Sequence, residues 1–402
     1  MNSKERVLTA FEHRKPDRVP LWYGASEGLT DKIMKAYSAT DEEDLMRKLH
    51  IDFRRVREQY VGPPLGDKTI WGVKREGFYY GQPMSHPLAD VETVEEVLNY
   101  KGWPSPDWFD FSGLSKECDK WMEYAIIGGP WVVVFTDATE LVGMEEFFVK
   151  MHTHPEVMQT VIRKVSDFYY ELATRFFEAV GDKIDIFFFG DDMGTQLSLI
   201  ISLKHWRTFC KPEIQRFIEL AKQWYLKTMF HSCGAVREII PDLIELGLDA
   251  LNPVQVSAKG MDLAELKFEF GNKLTFHGGI DHQHILARGS VDDVRKEARR
   301  VIDIMSPGGG YCLAASHDLM LDEFPVDNVI AMYEEAFEIS VPDHRDSFLD
   351  SPPFRLCGRT VLRRPPDISR EDQRDQARHH HEGRNHQLVW PAAKLHQPHG
   401  LQ

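Results

Sequence analysis

The feature that most constrains the fold is a regular alternation of short apolar, β-branched or aromatic runs with longer segments of helical periodicity. Such alternation is typical of a parallel sheet with helices packed on its outside. The strand candidates are Arg18 to Tyr23, Asp52 to Val56, Tyr124 to Gly128, Ile184 to Gly190, Lys227 to Phe230, Ala250 to Asn252, Leu274 to Phe276 and Tyr311 to Ala315. Eight strands with helices between most of them predict an α/β fold of the (β/α)8 class, the TIM barrel.

Two segments depart from this alternation. Residues 57–120, between the second and third predicted strands, are too long for one crossover and contain clusters of Pro, Gly and Trp. We interpret them as an insertion that is either a lid over one mouth of the barrel or a purely structural subdomain. The aromatic residues available for a lid are Trp71, Phe78, Tyr79 and Tyr80. Residues 346–402 lack apolar periodicity, so we expect a disordered tail after a catalytic domain of residues 1–345.

Charge and cysteine content argue against several classes of protein. The chain carries 63 Asp plus Glu against 48 Lys plus Arg, a formal net charge of -15, whereas nucleic-acid binders need a basic face. No apolar run reaches the length of about 18 residues that a membrane span needs, and the opening residues lack the apolar stretch of a secretory signal. We therefore expect a cytoplasmic protein with neither a nucleic acid nor a membrane as partner.

The five cysteines are odd in number and far apart, which disfavours a disulfide framework. A homo-oligomer stays open.

Polar residues directly follow five of the predicted strands, where a (β/α)8 barrel has its active site. These motifs are GDDMGTQ, FHSCG, LNPVQ, FHGGID and LAASHD. His231 and Cys233 are two residues apart in extended chain, so their side chains lie on one face of the strand end. An imidazole and a thiolate so arranged suit Zn²⁺, which keeps three protein ligands and an open position in catalytic sites. The alternative is a packed cysteine beside a hydrogen-bonded histidine.

Two residues near the last strand compete to be the third ligand. Cys312 lies near the beginning of that strand, roughly 15 Å from His317 at about 3.3 Å per residue. One ion therefore cannot bind both side chains without a large distortion. Ligand softness favours Cys312, but His317 lies at the carboxyl end, level with His231 and Cys233. We predict that His317 is the ligand and that Cys312 belongs to the core.

The same strand ends supply candidates for catalysis and substrate binding. Asp191 and Asp192 are adjacent and point to opposite faces, so one should enter the barrel mouth while the other caps a helix or pairs outside. Which one enters is not decided by the sequence. The substrate-binding candidates are Gln196, Gln255, Gly278, Gly279 and Asp281. The two glycines allow the backbone to approach a ligand or a neighbouring strand, and Asp281 either binds ligand or caps the next helix.

Several longer motifs occur together along the chain. They are KPDRVP, GGPW at Gly128 to Trp131, GDDMGTQ, HSCGAVREIIPDLIELGLDALNPVQ, AKGMD, FHGGID, SPGGGYCLAASHD and PVDNVIAMYE. In this combination the chain resembles the uroporphyrinogen decarboxylase superfamily over about residues 3–340. Members of that superfamily include cobalamin-dependent methyltransferases, which exchange methyl groups between corrinoid proteins and thiols or methylated substrates. The resemblance also implies a (β/α)8 barrel.

The chain differs from two branches of the superfamily, and these differences narrow the function that the resemblance implies. Porphyrinogen decarboxylases carry an Arg-Gln-Ala-Gly-Arg-Tyr motif that grips the acidic side chains of the tetrapyrrole, whereas this chain reads LWYGASEGL in that region. The thiol-methylating branch builds a zinc site from His-x-Cys and a late Cys. His231 and Cys233 match the first two, but His317 occupies the late position, as a histidine does in decarboxylases. The pattern is most similar to the cobalamin-dependent methyltransferase and demethylase members.

The resemblance implies a methyltransferase or demethylase that moves a methyl group between a small methylated substrate or thiol and a separate corrinoid protein. The corrinoid would arrive on that partner, because the signature Asp-x-His-x-x-Gly does not occur in the chain. Zn²⁺ held by His231, Cys233 and His317 would act as a Lewis acid or hold a thiolate. The residues expected to orient the substrate are Asp191 or Asp192 and Gln196. The alternative is a metal-free decarboxylase of another carboxylate substrate, with a histidine as proton donor.

Overall fold

A parallel sheet of seven strands lies at the centre of the protein. The computed structural model describes residues 1–77 and 81–339. Its strands are β1 (Phe53–Arg55), β2 (Gln59–Tyr60), β3 (Arg75–Glu76), β4 (Gln82–Pro83), β5 (Phe109–Asp110), β6 (Ala125–Gly128), β7 (Ile186–Gly190), β8 (Lys227–His231), β9 (Ala250–Val254), β10 (Thr275–Ile280) and β11 (Tyr311–Ala315). The sheet follows the chain in the order β1-β6-β7-β8-β9-β10-β11, and every neighbouring pair is parallel.

Helices separate the successive strands of the sheet. The α-helices of the described residues are α1 (Ser3–Phe11), α2 (Glu27–Tyr37), α3 (Glu42–Lys48), α4 (Val94–Asn99), α5 (Leu114–Lys120), α6 (Val134–Val142), α7 (Met144–Thr153), α8 (Pro155–Val180), α9 (Leu203–Phe209), α10 (Lys211–Gln223), α11 (Ile240–Leu246), α12 (Leu263–Phe270), α13 (Val291–Met305) and α14 (Val326–Glu338). At least one helix lies between each pair of consecutive sheet strands, which confirms the predicted alternation. No helix in this part of the chain is both long and apolar enough to cross a membrane.

The segment before α2 closes the sheet into a barrel. Leu21 forms an isolated parallel bridge with Leu313 of β11, and the Trp22 N–H donates to the Leu313 carbonyl oxygen. On the other side, the Asp52 N–H, next to β1, donates to the Leu21 carbonyl oxygen. Seven strands and this eighth segment thus surround one interior, so the predicted (β/α)8 fold is confirmed.

The first predicted strand, Arg18 to Tyr23, is present only as the bridge at Leu21. Pro20 has no N–H to contribute to a ladder. The Leu21 N–H donates to the side chain of Asp52, at 2.9 Å from Oδ2, instead of to a backbone carbonyl. The Asp52 carboxylate therefore accepts the hydrogen bond that a backbone carbonyl of a neighbouring strand would otherwise accept. The other seven predicted strands are present, and three run further than expected, β8 to His231, β9 to Val254 and β10 to Ile280.

Apolar side chains fill the interior of the barrel and form a second layer between sheet and helices. The interior cluster contains Phe53, Ile127, Ile186, Phe188, Met229, Cys312 and Ala314. Residues of α1 belong to the same cluster and cover the end at which the strands begin, because the Gly310 N–H donates to the Ala10 carbonyl oxygen. Cys312 is completely buried there, and burial raises the pKa of its thiol well above the usual value.

The insertion packs against the long helix α8. It contains two small antiparallel sheets, β2 with β5 and β3 with β4. The Trp71 side chain, 2% exposed, contacts Phe168 and Tyr169 of α8 edge-on, with ring centroids 5.0 and 5.6 Å apart. Trp71 is therefore part of the hydrophobic core, and a lid role for the insertion stays a prediction. The other residues of the lid and tail predictions, Phe78, Tyr79, Tyr80 and 346–402, lie outside the described residues.

Candidate active site at the strand ends

Three side chains with metal-binding atoms meet at the carboxyl ends of β7 and β8. Asp192 follows β7, His231 ends β8, and Cys233 lies in the turn after it. Gly190 is the register partner of His231 in the sheet. A Cβ atom on Gly190 would lie 2.4 Å from the Cβ of His231, so the glycine makes room for this histidine.

The motifs GDDMGTQ and HSCG fold as one unit. Gly234 has a φ of +88°, and a Cβ on it would lie 2.4 Å from the carbonyl carbon of Gly194. A residue with a side chain would therefore be strained and would push the two turns apart. The Cys233 N–H donates to Oδ1 of Asp192 at 2.9 Å, which fixes the aspartate beside the cysteine.

The donor atoms of this group have the spacing of a metal site. The ligand atoms of Asp192, His231 and Cys233 all lie within 4.8 Å of one another. Nε2 of His231 is 3.6 Å from Sγ of Cys233 and 3.4 Å from Oδ1 of Asp192. Donors bound tetrahedrally to zinc at about 2.0–2.3 Å are separated from each other by about 3.3–3.8 Å. Within residues 1–77 and 81–339, this is the only group of three His, Cys or carboxylate side chains so arranged.

A buried hydrogen-bond chain orients His231. Its Nδ1 lies 2.7 Å from Oδ1 of Asn252, to which it donates, so Nε2 faces Cys233 and Asp192. The Asn252 amide in turn donates to Nδ1 of His277, also at 2.7 Å. A partner on the second nitrogen is what fixes the tautomer and ring direction of metal-binding histidines. The group therefore contains metal-binding atoms and also neighbouring side chains that fix the direction of His231.

The electrostatics of the group favour a positive charge at its centre. Burial opposes protonation of His231, but Cys233 and Asp192 outweigh it and raise the pKa of this histidine well above its usual value. Burial likewise opposes ionisation of Asp192, yet its contact with His231 lowers the pKa of the carboxyl. A bound cation can take the place of the proton between these side chains.

The adjacent aspartates have different surroundings. Asp191 is buried, and its carboxylate accepts hydrogen bonds from the N–H groups of Phe135 and Thr136, at 2.6 and 2.8 Å, in the first turn of α6. Burial raises the pKa of Asp191 to about 7, although these hydrogen bonds lower it. Asp192 faces the metal-binding group and Asp191 caps a helix, which resolves the alternative left open by the sequence. A catalytic role for either residue stays a prediction.

His317, predicted as the third metal ligand, lies beside the group but does not belong to it. Its ring centroid is 5.1 Å from that of His282, and its Nδ1 is 3.2 Å from the Leu319 carbonyl oxygen. Burial opposes protonation, but the contact with Cys233 raises the pKa of His317 to about 9. Asp192 takes the place in the donor group that the sequence assigned to His317. Ligation by His317 stays a prediction.

The two glutamine candidates differ in what they have to offer a substrate. Oε1 of Gln255 accepts a hydrogen bond from the Gly234 N–H at 2.8 Å, so this buried side chain supports the HSCG turn. Oε1 of Gln196 is buried, yet it has no hydrogen-bond partner among the residues described. Gln196 therefore retains an acceptor that a substrate could use, whereas that of Gln255 is already engaged.

The remaining substrate-binding candidates make close contacts within the protein. Gly278 has a φ of +112°, and a Cβ on it would lie 3.0 Å from the Val254 nitrogen of the neighbouring strand β9. Gly279, with a φ of +91°, faces side chains outside the barrel. Asp281 caps the π-helical turn His282–Leu286 by accepting from the N–H groups of Gln283 and His284. Packing and capping account for all three residues, and contact with a substrate stays a prediction.

Sequence reasoning passed over two residues of this site. Asn252 and His277 lie in motifs that were singled out, LNPVQ and FHGGID, but neither received a role. The register of the sheet was the missing signal, because His231 pairs directly with Asn252 across β8 and β9. An amide at that level lies beside the histidine and can orient it.

Comparisons with known proteins agree with this fold. The family model for uroporphyrinogen decarboxylase (URO-D) matches residues 114–339. Two curated proteins named methylcobamide:CoM methyltransferase MtaA, from Methanosarcina barkeri and from its strain Fusaro, are each 24% identical over 326 residues, which covers 76% of this chain and 92% of the relative. A solved structure described as a methyltransferase from Methanosarcina mazei has a TM-score of 0.59 at 19% identity and covers 84% of this chain and 99% of its own. Since the family model spans more than half of the sequence, the chain belongs to the uroporphyrinogen decarboxylase family.

Proposed function

We propose that this protein is an enzyme that moves a methyl group between a small methylated substrate or a thiol and a corrinoid carried by a separate protein. Zinc would be bound by Asp192, His231 and Cys233. The observation that carries the proposal is this group of carboxylate, imidazole and thiol donors at the strand ends of the barrel. The names of the relatives, which describe methyl transfer involving a cobamide, support the reaction class.

The chain's own residues have separate roles in this reaction. Zinc in the site would supply Lewis acidity towards the substrate heteroatom or hold a thiol as its thiolate. Asn252 keeps Nε2 of His231 directed at the other donors. His317, which lies beside Cys233, can give a proton to the heteroatom that loses the methyl group. The Trp131 ring, 5.5 Å from the His231 ring, packs against one side of the site.

Methyl transfer is expected only when the zinc-loaded protein, a corrinoid protein and a methylated small molecule are combined. The absorption spectrum of the corrinoid reports the transfer for a panel of O-, N- and S-methyl compounds, and leaving out any one component is expected to abolish the change. Uroporphyrinogen should remain unchanged, because the arginine motif that grips its carboxylates is missing. Release of carbon dioxide from a carboxylate substrate by metal-free protein would contradict the proposal and support the decarboxylase alternative.

Replacing Asn252 by leucine is expected to weaken zinc binding about 10- to 100-fold, because His231 loses the partner that orients its ring. Competition with a chromophoric chelator measures this affinity. Asn328→Leu is the matched control: Asn328 is also buried, but it donates to the carbonyl oxygens of Leu286 and Gly289, away from the donor group. Equal zinc affinity of Asn252→Leu and the unchanged protein would show that the amide does not support the metal site.

A further inference from the structure

Three buried polar atoms at the barrel interior have no hydrogen-bond partner within residues 1–77 and 81–339. They are Nε1 of Trp22, Nε2 of His277 and Oδ1 of Asp318. Each atom comes from a different element, namely the segment before α2, the strand β10 and the loop after β11. Native proteins leave few buried polar atoms unpaired, so these three require an explanation.

The three side chains are neighbours. The rings of Trp22 and His277 are in edge-to-face contact, with centroids 5.1 Å apart. A Cβ atom on Gly24 would lie 3.2 Å from Nε1 of Trp22 and 2.2 Å from the carbonyl oxygen of Asp318, so the indole nitrogen lies beside residue 318. Asp318 also acts electrostatically on His277. The three unpaired atoms therefore belong to one small region.

Hydrogen bonding fixes which nitrogen of His277 carries the proton. Nδ1 accepts from the Asn252 amide at 2.7 Å, so in the neutral ring the proton lies on Nε2. Burial lowers the pKa of His277 to about 4, which keeps the ring neutral at pH 7. Nε2 of His277 is therefore a hydrogen-bond donor, and Nε1 of Trp22 can only donate.

Aromatic rings around the two donors do not replace the missing acceptor. Phe53 contacts both side chains edge-on, with its ring centroid 5.3 Å from that of Trp22 and 6.0 Å from that of His277. A ring face accepts an N–H much more weakly than an oxygen atom does. The two donors therefore lose more on leaving water than these rings return.

Two donors and one acceptor together indicate which chemical group fits. A carboxylate can only accept hydrogen bonds, and an ammonium group can only donate them. A hydroxyl group accepts two hydrogen bonds and donates one. It therefore matches Nε1 of Trp22, Nε2 of His277 and Oδ1 of Asp318 in both number and kind.

We propose that Trp22, His277 and Asp318 form a binding site for a hydroxyl group of the substrate. The hydroxyl oxygen would accept from the two N–H groups and would donate its proton to Oδ1 of Asp318. His277 is two hydrogen bonds away from His231 of the metal-binding group, through Asn252. The substrate class is therefore a short alcohol with its methylated heteroatom or thiol at the other end. The proposal rests on the proposed function only in placing that other end at zinc.

Binding of matched thiols tests the proposal. Isothermal titration calorimetry on zinc-loaded protein compares ω-mercaptoalcohols with alkanethiols in which a methyl group replaces the hydroxyl. At the best chain length, the alcohol should bind about ten-fold more tightly, because the alkanethiol leaves the buried polar atoms unpaired. An ω-mercaptocarboxylate of that length should lose this advantage, since it brings a negative charge to Asp318 and has no proton to donate.

Single substitutions locate the hydroxyl site. Trp22→Phe keeps an aromatic ring but removes one donor, and Asp318→Leu removes the acceptor, so each should remove most of the preference for the alcohol. Trp206→Phe is the matched control. Nε1 of Trp206 is also buried without a partner among the described residues, but it lies in the layer between sheet and helices. This variant should keep the full preference.

Nuclear magnetic resonance tests the site in the unchanged protein, so its result does not depend on the folding of a variant. The protein is labelled with ¹⁵N in tryptophan and histidine and kept free of zinc. 1-Propanol should move the N–H signals of Trp22 and His277 downfield, as expected for donors that gain an oxygen acceptor, whereas 1-propanethiol should not. The Trp206 signal should stay in place with both compounds.

The outcomes distinguish this proposal from the proposed function. Equal binding of alcohol and alkanethiol by the unchanged protein, or an undiminished preference in Trp22→Phe, overturns the hydroxyl site whether or not methyl transfer occurs. Signals that lie downfield already and do not respond to 1-propanol would assign the three atoms to a buried water molecule and also overturn it. If the alcohol moves both signals, failure of every corrinoid protein to exchange a methyl group counts against the proposed function alone.

Discussion

Cys233→Ala is expected to empty the zinc site, from about one ion per chain to background. The thiolate is the softest donor of the group and would share the ion with His231, whose Nε2 is 3.6 Å from the sulfur. Without it, two donors remain, fewer than the three that a catalytic zinc site uses. Elemental analysis after dialysis against a weak chelator measures the change, and zinc retained by the variant would contradict the assignment.

Three further variants locate the other ligands. Cys312→Ala should keep its zinc, because Cys312 is buried inside the barrel at the start of β11. Asp192→Ala should lose it, since this carboxylate completes the donor group. His317→Ala should keep it if its ring contributes only a proton. Loss of zinc in His317→Ala with retention in Asp192→Ala would restore the ligand set that the sequence suggested.

Asp52→Ala is expected to lower the free energy of unfolding by about 3–5 kcal/mol, the cost of leaving buried charges without their partner. Asp52 is completely buried and accepts from Arg6, Arg18, the Ser3 hydroxyl and the Leu21 N–H, at 2.7–2.9 Å. Removing it leaves two guanidinium groups and one backbone N–H without this acceptor. Urea denaturation followed by circular dichroism measures the effect.

The matched controls for Asp52 separate burial from charge. Glu171→Ala breaks the exposed pair with Arg175, whose two side chains are 51% and 34% exposed, and should change stability by less than about 0.5 kcal/mol. Asp52→Asn retains an acceptor but loses the charge. Its loss of stability should therefore lie between those of Asp52→Ala and Glu171→Ala. If Asp52→Ala lowers the free energy of unfolding no more than Glu171→Ala does, the hydrogen bonds accepted by Asp52 do not hold the barrel together.

The barrel itself could be predicted because its signal is spread along the whole chain. Runs such as Ile186 to Gly190 are apolar throughout, as is typical of strands buried on both faces. The amino-terminal strand was overestimated, because nothing in LWY shows that the Leu21 N–H bonds to a side chain. Hydrogen bonds between a strand and a distant carboxylate leave no local pattern.

The sequence predicted which strand ends form the site, but not which side chains point into it. His231 and Cys233 could be placed on one face from their spacing alone, because both lie at the end of one strand. Asp192 and His317 lie in loops after their strands, where the backbone turns and the alternation of side chains is lost. The sequence therefore could not decide which aspartate faces His231, nor that Asp192 and not His317 lies within the donor group.

The bridge between Leu21 and Leu313 implies that the barrel of a newly made chain closes late in folding. Its partners lie near opposite ends of the barrel sequence, and contacts between such distant residues form late in folding. Until β11 has left the ribosome, the growing sheet has two open edges, at β1 and at its newest strand. Open edges pair readily with other chains. We therefore expect that Asp52, by binding the Leu21 N–H of the amino-terminal segment, helps this segment to cover the β1 edge before another chain pairs with it.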